Sequence, residues 1–234
     1  MIGIFDSGVG GLCSYNEVRR LLPKEDILYF ADRKNAPYGT KTKEELQRLV
    51  KSNVEKLIEL GADEILVACC TASTVCPALF DDEEGRIVTM IKPTAEYISY
   101  RENGKTAKIT VIATEHTARA KTFSEEILKR LPRASVTEMA AQELVRLVED
   151  GSRDGKLCGY AEEYLDRLAE NIRGVDPKYL VLGCTHFSHV EKELKKRLPG
   201  VIPVNPAKLG ALELVNRIKS KRITAGSGRS LYTE

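Results

Sequence analysis

No sign of charge dominates this 234-residue sequence: 36 Lys and Arg stand interspersed with 34 Asp and Glu, for a net charge of +2. That excludes the basic footprint of a nucleic-acid binder and the charged patch of a membrane-surface protein. No apolar run approaches the ~20 residues needed to span a bilayer. A strand pattern begins at Ile2, so no targeting peptide is expected ahead of it. The six cysteines lack the dense, regular spacing of a secreted disulfide scaffold. Reduced thiols and a cytoplasmic location are therefore expected. Nucleotide signatures are missing too. There is no P-loop, and the glycine-rich turn near the start fails G-x-G-x-x-G because Cys13 stands where the third glycine belongs. Nothing resembles a pyridoxal phosphate lysine site, and no usual zinc-ligand spacing occurs. What remains is an ordinary globular composition, 42% hydrophobic and 30% charged, long enough for one large or two small domains.

Two short stretches organise the chain: Ile65-Leu66-Val67-Ala68-Cys69-Cys70-Thr71 and Leu180-Val181-Leu182-Gly183-Cys184-Thr185-His186. Each is a short apolar run between amphipathic helical stretches, the pattern of a buried parallel strand. Each ends on a cysteine and small polar residues, at the sheet edge where open α/β proteins bind ligands. Around them, Ile2–Phe5, Ile27–Phe30 and Ile87–Ile91 read as strands of a first half. Lys108–Ala113, Ser135–Met139 and Val201–Val204 read as strands of a second. Helices are expected at 12–22, 46–61, 72–80, 118–131, 144–148, 160–172, 190–198 and 208–219. Cys69 and Cys184, Pro93 and Pro206, and Phe5 and Ala113 are 115, 113 and 108 positions apart. That steady offset suggests two similar α/β domains. Leu66-Val67-x-x-Cys70-Thr71 aligns without a gap on Leu180-Val181-x-x-Cys184-Thr185, so either Cys69 or Cys70 could be the partner of Cys184.

Each candidate has a plainer reading. The turn Asp6-Ser7-Gly8-Val9-Gly10-Gly11 could cradle a carboxylate at a helix start, or simply be a tight turn. Asp6 at a strand end is the sharper feature, because an acid beside a thiolate is awkward unless it handles protons. Cysteine is by default a small buried hydrophobe, and Cys13, Cys76 and Cys158 read that way. The default weakens for two cysteines at equivalent strand ends, each before a helix start that favours the thiolate. Cys184, His186 and His189 admit a metal reading, completed by Cys69, Cys70 or Cys76, but His186 suits a proton partner for Cys184 better. His189 reads as a solvent-facing residue, and Glu149 alone reads as a surface carboxylate.

Phe5-Asp6-Ser7-Gly8-Val9-Gly10-Gly11-Leu12, Pro37-Tyr38-Gly39-Thr40-Lys41, Ala68-Cys69-x-Thr71-Ala72-Ser73, Leu144-Val145-x-Leu147-Val148-Glu149 and Gly183-Cys184-Thr185-His186 together resemble the glutamate racemases. These belong to the cofactor-independent aspartate/glutamate racemase superfamily, and the resemblance runs from Ile2 to about Asn205. It implies two open parallel-sheet α/β domains with the active site in the cleft between them. The first would be 1–92 completed by 207–234, the second 93–206. It makes Cys69 and Cys184 the catalytic thiols, assisted by Asp6 and His186, with Glu149 near His186. It places substrate contacts at Asp6, Ser7, Tyr38, Gly39, Cys70, Thr71, Thr185 and His186. It further implies a homodimer with no cofactor and no metal, interconverting L- and D-glutamate for bacterial peptidoglycan and hence cell shape. One thiolate would take the α-proton while the other thiol returns one to the opposite face. Cys70 departs from the family, which has Asn there to help bind substrate. Ala31-Asp32-Arg33 replaces the usual Gly-Asp-Thr, and Ser188 stands where a proline is usual. Residues 229–233 resemble the family's last strand. The alternatives are a related enzyme such as an aspartate racemase, or a non-catalytic ligand-binding descendant, which Cys70 invites.

Overall fold

The computed structural model describes residues 1–80, 85–154, 159–221 and 228–233. From Met1 to Met90 the chain forms β1 (Ile2–Asp6), α1 (Leu12–Leu21), β2 (Ile27–Ala31), α2 (Lys43–Glu59), β3 (Glu64–Val67), α3 (Cys70–Ser73) and β4 (Ile87–Thr89). There follow α4 (Ile91–Glu102), β5 (Lys108–Ala113), α5 (Glu115–Ala120), α6 (Thr122–Arg130), β6 (Ser135–Ala140), α7 (Gln142–Asp154) and α8 (Gly159–Val175). β7 (Tyr179–Gly183), α9 (Glu191–Arg197), β8 (Ile202–Val204), α10 (Pro206–Ser220) and β9 (Ser230–Thr233) complete the order.

Two parallel sheets result, ordered β4-β3-β1-β2-β9 and β6-β5-β7-β8. In the first, Ile4 lies between Leu66 and Tyr29, and in the second Val111 lies between Val181 and Glu138. β1, β2, β3 and β7 are buried at every position, which is why they read as unbroken apolar runs rather than alternating ones. Helices cover these sheets. α2 opens with a capping box, in which Thr42 Oγ1 accepts from Glu45 N and the Glu45 carboxylate accepts from Thr42 N. One apolar cluster runs beneath both halves, joining Ile4, Leu66 and Met90 to Val111, Val181 and Leu214. Among the described residues no helix is long and apolar enough to cross a membrane.

Several expected elements differ. The strand expected to run through Ile91 stops at Thr89, and α4 starts at Ile91. Pro93 sits in that helix's first turn, where a missing N–H costs nothing. Pro206 opens α10 in the same way, behind Asn205, whose side chain accepts from Ala207 N at 3.0 Å. The single helix expected at 118–131 is two, α5 and α6, separated by Lys121 in the left-handed region at φ +54°. The stretch 72–80 holds the short α3 and a 3₁₀ turn at Cys76–Ala78 around Pro77, rather than one helix. The tail resembling a last strand is β9, parallel to β2, with Tyr232 stacked on Tyr29 at 5.4 Å. Cys158 lies outside the described residues.

Candidate active site

Four strands deliver polar side chains at their carboxyl ends. β1 ends on Asp6 and β3 leads to Cys69, while β5 leads to Thr114 and β7 to Cys184. The two sheets turn these ends toward one another, so that Ser7, Cys69 and Thr71 from one half share a cavity with Thr114, Cys184 and His186 from the other. Tyr38, Gly39, Cys70, Thr185 and Glu149 of the predicted set line the same cavity. Asp6 sits just beneath, fully buried. The cavity measures about 20 Å³, room for about one water. The halves are pressed together above it. A Cβ on Gly10 would lie 2.5 Å from Thr185 Oγ1 and 3.0 Å from His186 Nδ1, and one on Gly39 would meet Thr114 Cβ at 2.7 Å. These glycines are there because the opposite half comes too close for a side chain.

The glycine-rich turn serves Asp6 first. Gly8 N donates to Asp6 Oδ1 at 2.9 Å, and Thr185 Oγ1 reaches across from the second half to Asp6 Oδ2 at 3.4 Å. Burial raises the Asp6 pKa, opposed by the His186 charge, by the Gly8 and Gly11 amides and by Thr185.

The two thiols sit in unlike surroundings. Cys69 caps α3: Ala72 N donates to its sulfur at 3.5 Å, and Ser7 Oγ lies 3.5 Å away. Burial, then the nearby Asp6 charge, pushes this thiol up to about 12 despite those hydrogen bonds. Cys69 is therefore held protonated. Cys184 Sγ lies 3.6 Å from His186 Nδ1, and His186 Nε2 lies 3.1 Å from Glu149 Oε1. Glu149 thereby gives the buried ring an ionic partner. Burial works against the imidazolium, but Cys184, Glu149 and Asp6 outweigh it and push His186 up to about 11. The raised pKa favours the imidazolium form of the ring beside Cys184 Sγ. Cys70 is buried in the first turn of α3, and burial and the neighbouring thiols Cys184 and Cys69 raise its pKa well above the ordinary value.

Cys76 donates to Ala72 O at 3.4 Å as a buried packing residue, Cys13 is half-buried, and His189 is exposed. No three His, Cys, Asp or Glu side chains converge as metal ligands among the described residues. Sequence reasoning missed three groups. Buried Asp32 accepts from Tyr38 Oη at 2.5 Å and from Asn53 Nδ2 at 3.0 Å, fixing Tyr38 at the cavity. Thr71 Oγ1 meets Thr114 Oγ1 at 3.0 Å and Thr117 Oγ1 at 3.1 Å, a hydroxyl seam between the halves. His116 Nδ1 donates across the same seam to Lys41 O at 3.1 Å. Only the Thr114-x-x-Thr117 spacing, a helix-cap pattern before α5, carries a local signal.

Fold and site together define a two-halved α/β protein in which each half offers a thiol to one shared cavity. The chain belongs to the Asp/Glu/hydantoin racemase family, whose pattern matches residues 15–214. It is 33% identical to a glutamate racemase of Campylobacter curvus, over 98% of this chain and 87% of that one. It is 34% identical to a glutamate racemase of Clostridium botulinum, over 95% and 85%. The crystal structure of a glutamate racemase isoform from Bacillus anthracis superposes with a TM-score of 0.89 at 30% identity, covering 99% of this chain and 86% of that one.

Proposed function

We propose that this protein is a glutamate racemase that interconverts L- and D-glutamate by proton transfer to and from two thiols, without a cofactor. The observation that carries this reading is the pair Cys69 and Cys184, one from each half, lining one cavity among unlike neighbours: Ser7 and the Ala72 amide at Cys69, His186 at Cys184. Removing an α-proton without an electron sink is slow, so the burden falls on positioning, water exclusion and donors around the α-carboxylate. The Cys184 thiolate, steadied by the His186 imidazolium, takes the α-proton from the enantiomer that faces it. The carbanion's charge spreads onto the carboxylate, and Cys69 gives its proton to the opposite face of the same carbon. Cys184 is then the thiol and Cys69 the thiolate, the state that runs the reverse reaction. Asp6 and His186, with Glu149 behind, return the pair to its starting state. Ser7, Tyr38, Gly39, Cys70, Thr71 and Thr185 hold the substrate. Substrate choice follows the relatives named above, all glutamate racemases.

A ten-atom diacid does not fit a cavity of about 20 Å³. The domains 1–92 with 207–234, and 93–206, therefore part to admit it. The enzyme works as a homodimer in the cytoplasm and supplies D-glutamate for peptidoglycan. The test is racemisation of each glutamate enantiomer, followed by circular dichroism, after exhaustive dialysis and chelation, with aspartate in parallel. Full activity on glutamate is expected. Dependence on pyridoxal phosphate or a metal, or turnover of aspartate alone, would overturn the reading.

A further inference from the structure

A second, much larger cavity opens on the same seam. It measures about 660 Å³, inside the range of small-molecule sites. One wall comes from the first half, with Lys43 at the start of α2 and Val75, Pro77 and Ala78 behind α3. The other comes from α5 and α6 of the second half, with Arg119 and Lys129. Val75, Pro77, Ala78 and Ala120 supply apolar lining beside the charged residues. Three cations, Lys43, Arg119 and Lys129, face two carboxylates, Glu125 and Glu126. Glu126 is already engaged by Lys129 at 3.1 Å and Arg130 at 2.5 Å. Lys43 and Arg119 form no ion pair among the described residues.

This cavity is wired to the active site. Thr74 lines it and donates to Thr71 O at 2.7 Å, and Thr71 bonds Thr114 and Thr117 across the seam. His116 lines it and bridges the halves through Lys41 O. Anything seated here touches both halves in their closed arrangement.

We propose that this cavity is a second ligand site, for an organic anion with an apolar body, and that its occupant holds the halves closed. The acid group pairs with Lys43 and Arg119, and the body lies on Val75, Pro77 and Ala78. Because substrate enters only when the halves part, an occupant slows its admission and lowers kcat/KM. A ligand shifts an equilibrium only by its preference for one state, and a cavity built from both halves supplies that preference. The effect on kcat/KM rests on the racemase reading, whereas the binding does not.

The probe is 8-anilinonaphthalene-1-sulfonate, an apolar ring system with one anionic group, titrated onto the full chain and followed by fluorescence. One saturable site is expected. Arg119→Glu should weaken it at least tenfold, Ala78→Trp should remove it, and the uncharged N-phenyl-1-naphthylamine should bind far more weakly. Saturating sulfonate should lower kcat/KM several-fold in the unmodified protein and not in Ala78→Trp. Lys43→Glu, at an exposed position, carries the comparison if Ala78→Trp does not fold. Equal sulfonate binding by unmodified protein and variants, equal binding of the uncharged analogue, or a kcat/KM unmoved at saturation would overturn the proposal. A chain that binds the sulfonate as described but racemises no glutamate would count against the racemase reading alone.

Discussion

Gly10→Ala isolates the closure of the two halves from everything else. The Gly10 backbone is not in the left-handed region, so alanine's own conformation is tolerated there. What an added methyl meets is the other half: Thr185 Oγ1 at 2.5 Å, His186 Nδ1 at 3.0 Å and His186 Cε1 at 3.1 Å. Ordinary contact needs about 3.5 Å, so the halves or those two side chains must yield by about 1 Å. Overpacking on that scale costs about 1–3 kcal/mol. The cost falls on the closed state and spares the cores of the separate sheets. Converted to a shift between open and closed forms, it amounts to about 5–150-fold. The prediction is a fall in kcat/KM for glutamate within that range, a melting temperature close to that of the unmodified protein, and a larger radius of gyration by small-angle X-ray scattering. Unchanged kcat/KM would refute the argument that this contact sets closure. A large loss of melting temperature would instead place the strain inside the folded core.

Three further outcomes follow from the site. Cys69→Ala and Cys184→Ala should each stop racemisation yet still eliminate chloride from one enantiomer of β-chloroglutamate, with opposite preferences; a shared preference would break the two-face assignment. His186 binds its proton more tightly folded than unfolded, so its stabilising effect is complete below its ordinary pKa of about 6.5 and is lost as pH rises toward about 11. The melting-temperature gap between the unmodified protein and His186→Gln should therefore be widest near pH 6 and shrink steadily toward pH 11, and a gap that widens on the alkaline side would reverse the sign. Cys70→Asn adds an amide facing a charged substrate, a bond worth roughly 1.5–3 kcal/mol, so kcat/KM for glutamate should rise; loss of activity would mean the cavity has been rebuilt around the thiol.

The buried strands were readable because parallel sheets covered on both faces leave unbroken apolar runs, and those runs stop where Asp6, Cys69 and Cys184 stand. The start of α4 was not, because Ile87–Ile91, apolar but for Thr89, is too short a run to show a period that separates strand from helix. The break at Lys121 has no proline or glycine to announce it. The seam was invisible for a different reason. Thr71 and Thr117 are 46 residues apart and His116 and Lys41 75 apart, and nothing local in sequence links the members of either pair. Glu149 shows the limit most clearly. It is half-exposed, as its helix position suggested, and still places an oxygen 3.1 Å from buried His186. Only the packing of α7 against the loop after Cys184 makes that contact.

The apolar cluster running under both sheets has a mechanical meaning. Two bodies joined by a continuous interior, with Met90 and Leu214 packed among residues of each, cannot slide past one another without tearing it. They can flex about it, as a clothes-peg flexes about its spring. Displacement then grows with distance from the pivot, least at the buried strands and greatest at the glycine turns. Cys69 and Cys184, one from each half, would change their spacing in step with such an opening. On the proposed racemase reading, gripping the substrate would also bring the acid and the base to its two faces.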